Sequence, residues 1–286
     1  MRRSPASVAV GPAGAASSFA ETYRRLTEVF PSLRVEVRGP GQPPRRGGGW
    51  MTAREVATDP GALDMFVSWD ARRIERDGGR TARPDVLAGL ALHRYAWPAC
   101  LLMTLPWFLD RRVPRLPADA VSFPRALGRI SVCPEEFACL PDDPAARAPG
   151  ARVVPDEEAL RAEVRAAVAD HLAPVLAAFG PRMRRRGRAL WGMASDEIVE
   201  SLWYIGHLLG EERRAVTELE LLLPAGSVPY AGSAGFRRLT AEDGRTVPTR
   251  DRTTCCLFYT LRPDDTCVTC PRTGDGERVR RLRASA

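Results

Sequence analysis

The sequence predicts an α+β fold in which helices dominate, arranged as two subdomains with a cysteine-rich hairpin at the C-terminal end. Three observations predict it. Apolar residues recur at helical spacing through several long segments, and only short stretches alternate as strands do. Four of the seven cysteines fall between residues 255 and 270. No repeat of fixed period is visible.

Taken in order, residues 1–17 read as a flexible tail. Met1-Arg-Arg3 and the small residues after it imitate an export leader, but Gly11, Pro12 and Gly14 interrupt the apolar run. Gly11-Pro-Ala-Gly14 lacks the G-x-G-x-x-G pattern and a preceding strand, so it is not a dinucleotide loop. A helix begins near Ser18, with Phe19, Tyr23, Leu26 and Phe30 on one face, and Pro31 stops it. Leu33 to Val37 alternates as a short strand, and residues 38–49 form a Pro/Gly loop. Helical patterns return at 52–58, 61–77 and 84–110. Within the last, Val86 to Leu109 is the most apolar stretch of the chain. It contains His93, Arg94, Pro98 and Pro106, and reads as buried helices broken at the prolines rather than as a membrane span.

Ala120 to Val132 is apolar without helical spacing and predicts strands. Pro141 to Pro149 reads as the link between a subdomain at 18–145 and another at 150–286. Beyond it, Asp156 to Ala178 predicts a helix with Asp156 as its N-cap and Gly180-Pro181 as its stop. Arg188 to Leu209 predicts a second helix ending at Gly210, and Glu211 to Leu223 a third. Residues 224–235 are loop, and the cysteine hairpin closes the chain.

At 286 residues and 44% apolar, the chain can bury a substantial core. All 42 basic residues are arginine, and the formal net charge is +7. Runs at Arg182–Arg186 and at Arg278, Arg280, Arg281 and Arg283 read as solvated helix ends or tail. Such a surface also suits nucleic acid, anionic lipid, an acidic redox partner or an anionic ligand. No recognition helix accompanies it, so no nucleic-acid partner is expected and at most a peripheral contact with a membrane. No P-loop and no G-x-S-x-G occurs. His93, His171 and His207 read as packing residues, and Trp191, Trp203 and Tyr204 as core. Asp196-Glu197 reads either as an acid/base pair or as a solvent-facing helix turn. Cys100 reads as a buried apolar residue, and Cys133 and Cys139 as free thiols of a reduced cytosol.

The remaining four cysteines carry the chemistry. Cys255, Cys256, Cys267 and Cys270 read C-C-x10-C-x2-C. The closing C-x2-C sets two thiolates on one tight loop, and the doublet upstream can complete a set of four, which suits a tetrahedral zinc or a [2Fe–2S] cluster. Zinc sites normally supply both halves as C-x2-C or C-x4-C, and the doublet breaks that pattern.

This motif, followed by Pro271 and with Phe258-Tyr259 just after the doublet, resembles the C-terminal [2Fe–2S] signature of FhuF-type ferric-siderophore reductases. His171-Leu-Ala-Pro174 and Leu190-Trp-Gly192 resemble the helical segments that precede the cluster in that family, and residues 83–109 its N-terminal helical part. Asp264-Asp265-Thr266 stands where the family often has glycine before the third cysteine.

The resemblance implies an iron reductase of the cytoplasm or the inner face of the cell membrane. Its cofactor would be a [2Fe–2S] cluster on Cys255, Cys256, Cys267 and Cys270, and its substrate a ferric siderophore in a cleft between the helical body and the hairpin. No flavin or nicotinamide site stands out, so an external donor such as a ferredoxin or flavin reductase would supply the electron. Arg252, Arg262 and Arg272 would favour the reduced, more negative state. The competing readings are a zinc-stabilised binding module without redox activity, and a cluster-based sensor.

Overall fold

Helical periodicity at the N-terminal end becomes α1 (Ala15–Val29), which sets Phe19, Tyr23 and Leu26 into the core. The computed structural model describes residues 15–39, 41–78, 81–262 and 266–284. Most of the expected tail at 1–17, the leader-like start and Asp264-Asp265 lie outside the described residues. After β1 (Arg34–Val37) and β2 (Trp50–Thr52) come α2 (Ala53–Thr58) and α3 (Pro60–Gly78). A capping box starts α2: the Thr52 side chain accepts from Glu55 N at 3.1 Å, and Glu55 accepts from Thr52 N at 2.6 Å.

The centre of the molecule is α4 (Pro84–Asp110), apolar around most of its circumference and buried except at its ends and along the face of Leu90, His93, Arg94 and Trp97. It runs unbroken through Pro98 and Pro106, correcting the expectation that the prolines divide it. At Pro106 the reason is visible. Proline lacks the N–H that would bond the carbonyl of Leu102, and the buried Tyr23 hydroxyl donates to that carbonyl instead at 2.6 Å. Among the described residues α4 is the one helix long and apolar enough to cross a membrane, but 72% of its most apolar window is buried inside the protein.

Beyond α4 the chain forms β3 (Arg112–Arg115), β4 (Val121–Pro124), β5 (Arg129–Val132), β6 (Glu136–Cys139) and β7 (Ala151–Val153). A four-stranded sheet has the order β1-β5-β4-β2, with β1 and β5 parallel from Arg34 beside Arg129. A three-stranded sheet has the order β3-β6-β7. Residues 141–150 are turns.

Helix α5 (Glu157–Met183) starts as expected, the Asp156 side chain accepting from Ala159 N at 2.8 Å. It then passes through Gly180-Pro181 and ends at Arg184 in the left-handed region (φ 54°), so the expected stop is corrected. Packing of its C-terminal turn on α6 (Gly187–Leu208), through Gly180 against Leu190, outweighs the local breaking signal. After α7 (Glu212–Leu222) a hairpin pairs β8 (Phe236–Thr240) with β9 (Thr246–Arg250), and α8 (Asp275–Ala284) ends the described chain. Helix α8 forms where the arginine run reads as tail. Its Arg278 is buried, with its side chain bonded to the carbonyls of Arg250 and Cys270. The architecture is α+β and mostly helical, with the cysteines gathered at the C-terminal end.

Candidate metal centre

The four cysteines follow the β8–β9 hairpin on irregular chain that contains one 3-10 turn, Phe258–Thr260. Irregularity is what the doublet requires, because successive side chains diverge in a strand or helix. Leu257 takes up the change of direction in the left-handed region (φ 65°), and its N–H points to the Cys255 sulfur at 3.4 Å.

Helix α6 holds this segment at both ends, through a row of acids. Asp196 and Glu197 are fully buried, correcting the reading of a solvent-facing turn. Asp196 accepts four hydrogen bonds: from Arg250 Nη2 at 2.7 Å, Thr253 N at 2.9 Å, and Thr254 N and Oγ1 both at 2.8 Å. One turn on, Glu200 accepts from Arg250 Nη1 at 2.8 Å and from Thr269 Oγ1, between the last two cysteines, at 2.9 Å. Gly192 on the same helix makes room, because a Cβ there would sit 2.7 Å from Thr254 Cγ2.

Cationic side chains fix the backbone around the sulfurs. Arg185 donates to the Cys255 carbonyl at 2.8 Å, Arg281 to the Thr266 carbonyl at 2.8 Å, and Arg278 to the Cys270 carbonyl at 3.1 Å. Of the three arginines expected near the ligands, Arg252 is buried beside them. Arg272 is exposed and stacks on Tyr259 at 4.3 Å, and Arg262 is exposed.

The four sulfurs meet at one cavity of about 530 Å³. Cys255 interacts with Cys270 and Cys256, and Cys267 with Cys256 and Cys270. Burial raises the Cys255 thiol pKa, with Cys270 and Cys256 adding to the rise. Burial and the neighbouring sulfurs push Cys267 up to about 11, against the pull of Arg252. Crowded thiols that resist ionising together are a ligand set whose charge a metal would balance. Among the described residues, no three His, Cys, Asp or Glu side chains converge on one point as a single ion requires.

The facing wall comes from the helical body. His93 lines it, and its Nδ1 lies 2.6 Å from Glu197 Oε1, whose other oxygen is unpartnered. Burial lowers the His93 pKa, but Glu197 outweighs burial and leaves it above the ordinary value. Arg252 bridges to the same carboxylate at 3.4 Å; the nearby acids, with Cys256, keep it charged against burial. Arg94 is held against Asp70 at 2.8 Å and stacks on Phe66 and Trp69 at 4.3 and 4.6 Å. Phe30 and Trp97 close the wall with ring centroids 5.5 Å apart. Tyr204 packs on both and is 46% exposed, correcting its reading as core.

His171 is the packing residue expected of it, buried between the Tyr95 hydroxyl at 2.6 Å and the Leu116 carbonyl at 2.7 Å. His93, which the sequence reads as a packing residue, lines the cavity instead; its partner Glu197 stands 104 residues away and leaves no local signal. Cys100, Cys133 and Cys139 are buried free thiols.

The four cysteines thus line one cavity, with arginines bonded to the surrounding backbone. Residues 252–272 match the family model described as FhuF 2Fe-2S C-terminal domain. The match is confined to the cysteine segment, which is similar there to a [2Fe–2S]-binding domain. A search of curated proteins finds no match to the chain.

Proposed function

We propose that Cys255, Cys256, Cys267 and Cys270 hold a [2Fe–2S] cluster, and that the protein reduces siderophore-bound Fe(III) to Fe(II) in the adjoining cavity. The observation that carries this reading is the cavity itself, with four sulfurs on one side and an aromatic and cationic wall on the other. The bound group supplies one electron at a time. Oxygen chelators hold Fe(III) far more tightly than Fe(II), so one electron loosens the iron and no covalent step is needed.

The chain's own residues bind and orient. Phe30 and Trp97 offer apolar faces to the ligand backbone of the siderophore, and Arg252 and Arg73 offer positive charge to its oxygens. His93, the histidine that lines the cavity, is placed to give a proton to an oxygen freed as the iron leaves. The electron comes from an external donor, and the iron is released in the cytoplasm, at most with peripheral contact to the membrane.

Replacing any of the four cysteines with serine should abolish or markedly alter the visible chromophore of anaerobically purified protein. An unchanged spectrum in all four variants would remove the ligand assignment. His93→Leu should retain the chromophore and its reduction by dithionite, yet slow iron release from a ferric hydroxamate several-fold. Release at the wild-type rate would take His93 out of the mechanism.

A further inference from the structure

Between α5 and α6 the chain turns through Arg184, Arg185 and Arg186, and Arg188 follows in the first turn of α6. Arg185 is turned inward and donates to the Cys255 carbonyl at 2.8 Å. Just before it, Met183 packs near the same α4 glycine, Gly89, as the Cys256 carbonyl. The corner therefore adjoins the cysteine doublet. Arg184, Arg186 and Arg188 are exposed, and none of them lines the cavity.

Arg184 ends α5, where a cation suits the helix dipole, but Arg186 and Arg188 work against the helix they begin. A helix N-terminus bears partial positive charge, so cations there are unfavourable. The first turn of α6 nevertheless holds no acid, and its N-cap, Arg186, makes no capping hydrogen bond. Helix α5 shows the usual arrangement, with Asp156, Glu157 and Glu158 at its start. The acids close to the corner are committed elsewhere: Asp85 interacts with Arg184 but is gripped by Arg83 at 2.9 and 3.1 Å, and Asp64 pairs with Arg182. Positive charge is thus concentrated next to the doublet and outside the cavity, beyond what the two helix ends require.

We propose that Arg184, Arg186 and Arg188 form the docking surface for an acidic one-electron carrier protein, which delivers its electron to the cysteine centre from this side while the siderophore occupies the cavity. The proposal rests on the [2Fe–2S] reading above. The transfer is a single outer-sphere electron: the carrier is oxidised by one, this protein is reduced by one, and no atom or proton moves. Confinement of the three arginines to one turn beside the doublet favours a small acidic protein patch over the long track of phosphates that a nucleic acid presents.

The test is stopped-flow reduction of the oxidised holoprotein by a reduced plant-type ferredoxin, as a function of ionic strength. The wild-type second-order rate constant should fall steeply as salt rises. The variant Arg184→Gln/Arg186→Gln/Arg188→Gln should be slower by about tenfold or more at low salt, with a flattened salt dependence. Its visible spectrum and its reduction by dithionite should match the wild type. A variant reduced by the carrier as fast as the wild type at low salt, or a wild-type rate indifferent to salt, would overturn the docking surface. So would unchanged carrier kinetics together with lost binding to phosphatidylglycerol vesicles, which would assign the arginines to a lipid surface. A wild-type protein with no dithionite-reducible chromophore would instead overturn the underlying reading, and the docking surface with it.

Discussion

Asp196 is the side chain on which the geometry of the centre most depends. It is fully buried, faces an equally buried Arg250, and receives both amides that precede the cysteine doublet. Removing one partner of a buried pair leaves the other charge uncompensated. Asp196→Ala should therefore lower folding stability by about 3–5 kcal/mol in urea denaturation and lose the chromophore. An unaffected variant would show that the doublet is held by other means. Gly192→Ala tests the close approach on the same helix. Its Cβ would meet Thr254 Cγ2 at 2.7 Å on a residue Asp196 already fixes, so about 1–3 kcal/mol of strain is expected, with a shifted cluster spectrum.

At this scale the sequence was legible only where chemistry is local. The cysteine spacing announced a metal site because all four sulfurs lie within sixteen consecutive residues. The role of Asp196, Glu197 and Glu200 is not legible in the sequence, because their partners Arg250, Arg252, His93 and Thr269 come from distant segments. One signal was present. Asp196 and Glu197 are flanked by Met193, Ala194, Ile198 and Val199, and acids embedded in an apolar helix must find partners or remain unburied.

Among the elements, α6 acts as the mounting for the centre and α4 as the wall opposite. Helix α5 is tied to α4 through His171, whose ring bridges Tyr95 and the Leu116 carbonyl. Burial lowers the His171 pKa to about 4, so the folded protein holds it neutral. The unfolded chain binds the proton near the ordinary value of about 6.5, so this contribution is complete above that pH and declines as pH falls towards 4. Between pH 7.5 and 5.5 the loss should be about 1.4 kcal/mol. Denaturant midpoints at the two values should show that fall, and His171→Asn should flatten it. A wild-type slope retained in the variant would place the proton uptake elsewhere.

Long helices were the elements most readable from sequence, since their apolar period extends over many turns. Errors came where tertiary packing overrules a local stop. Proline and glycine signals predict breaks at Pro98, Pro106 and Gly180-Pro181, yet α4 and α5 run on; at Pro106 the Tyr23 hydroxyl takes the freed carbonyl, and at Gly180 the helix packs on Leu190. Strands β2, β3, β7, β8 and β9 form where the sequence predicts none, because each is three to five residues long and identified by its partner rather than by its own pattern.

For the whole molecule, the consequential feature is that the cysteine segment does not stand apart from the helical body. It closes over α3 and α4, so that the cavity has sulfurs on one side and His93, Arg94 and Trp97 on the other. No sequence pattern foretells a cavity between residues 30 and 270. The expectation of a cleft came from the family resemblance alone, while the lining residues are visible only in three dimensions.

The most direct test is anaerobic purification followed by visible absorption and EPR before and after dithionite, and then addition of a ferric hydroxamate to the reduced protein. The account predicts a brown protein, EPR-silent when oxidised, with a spin-half signal when reduced that disappears as one equivalent of Fe(III) becomes Fe(II). A colourless protein carrying stoichiometric zinc, or a reduced centre that the ferric complex leaves untouched, would contradict it.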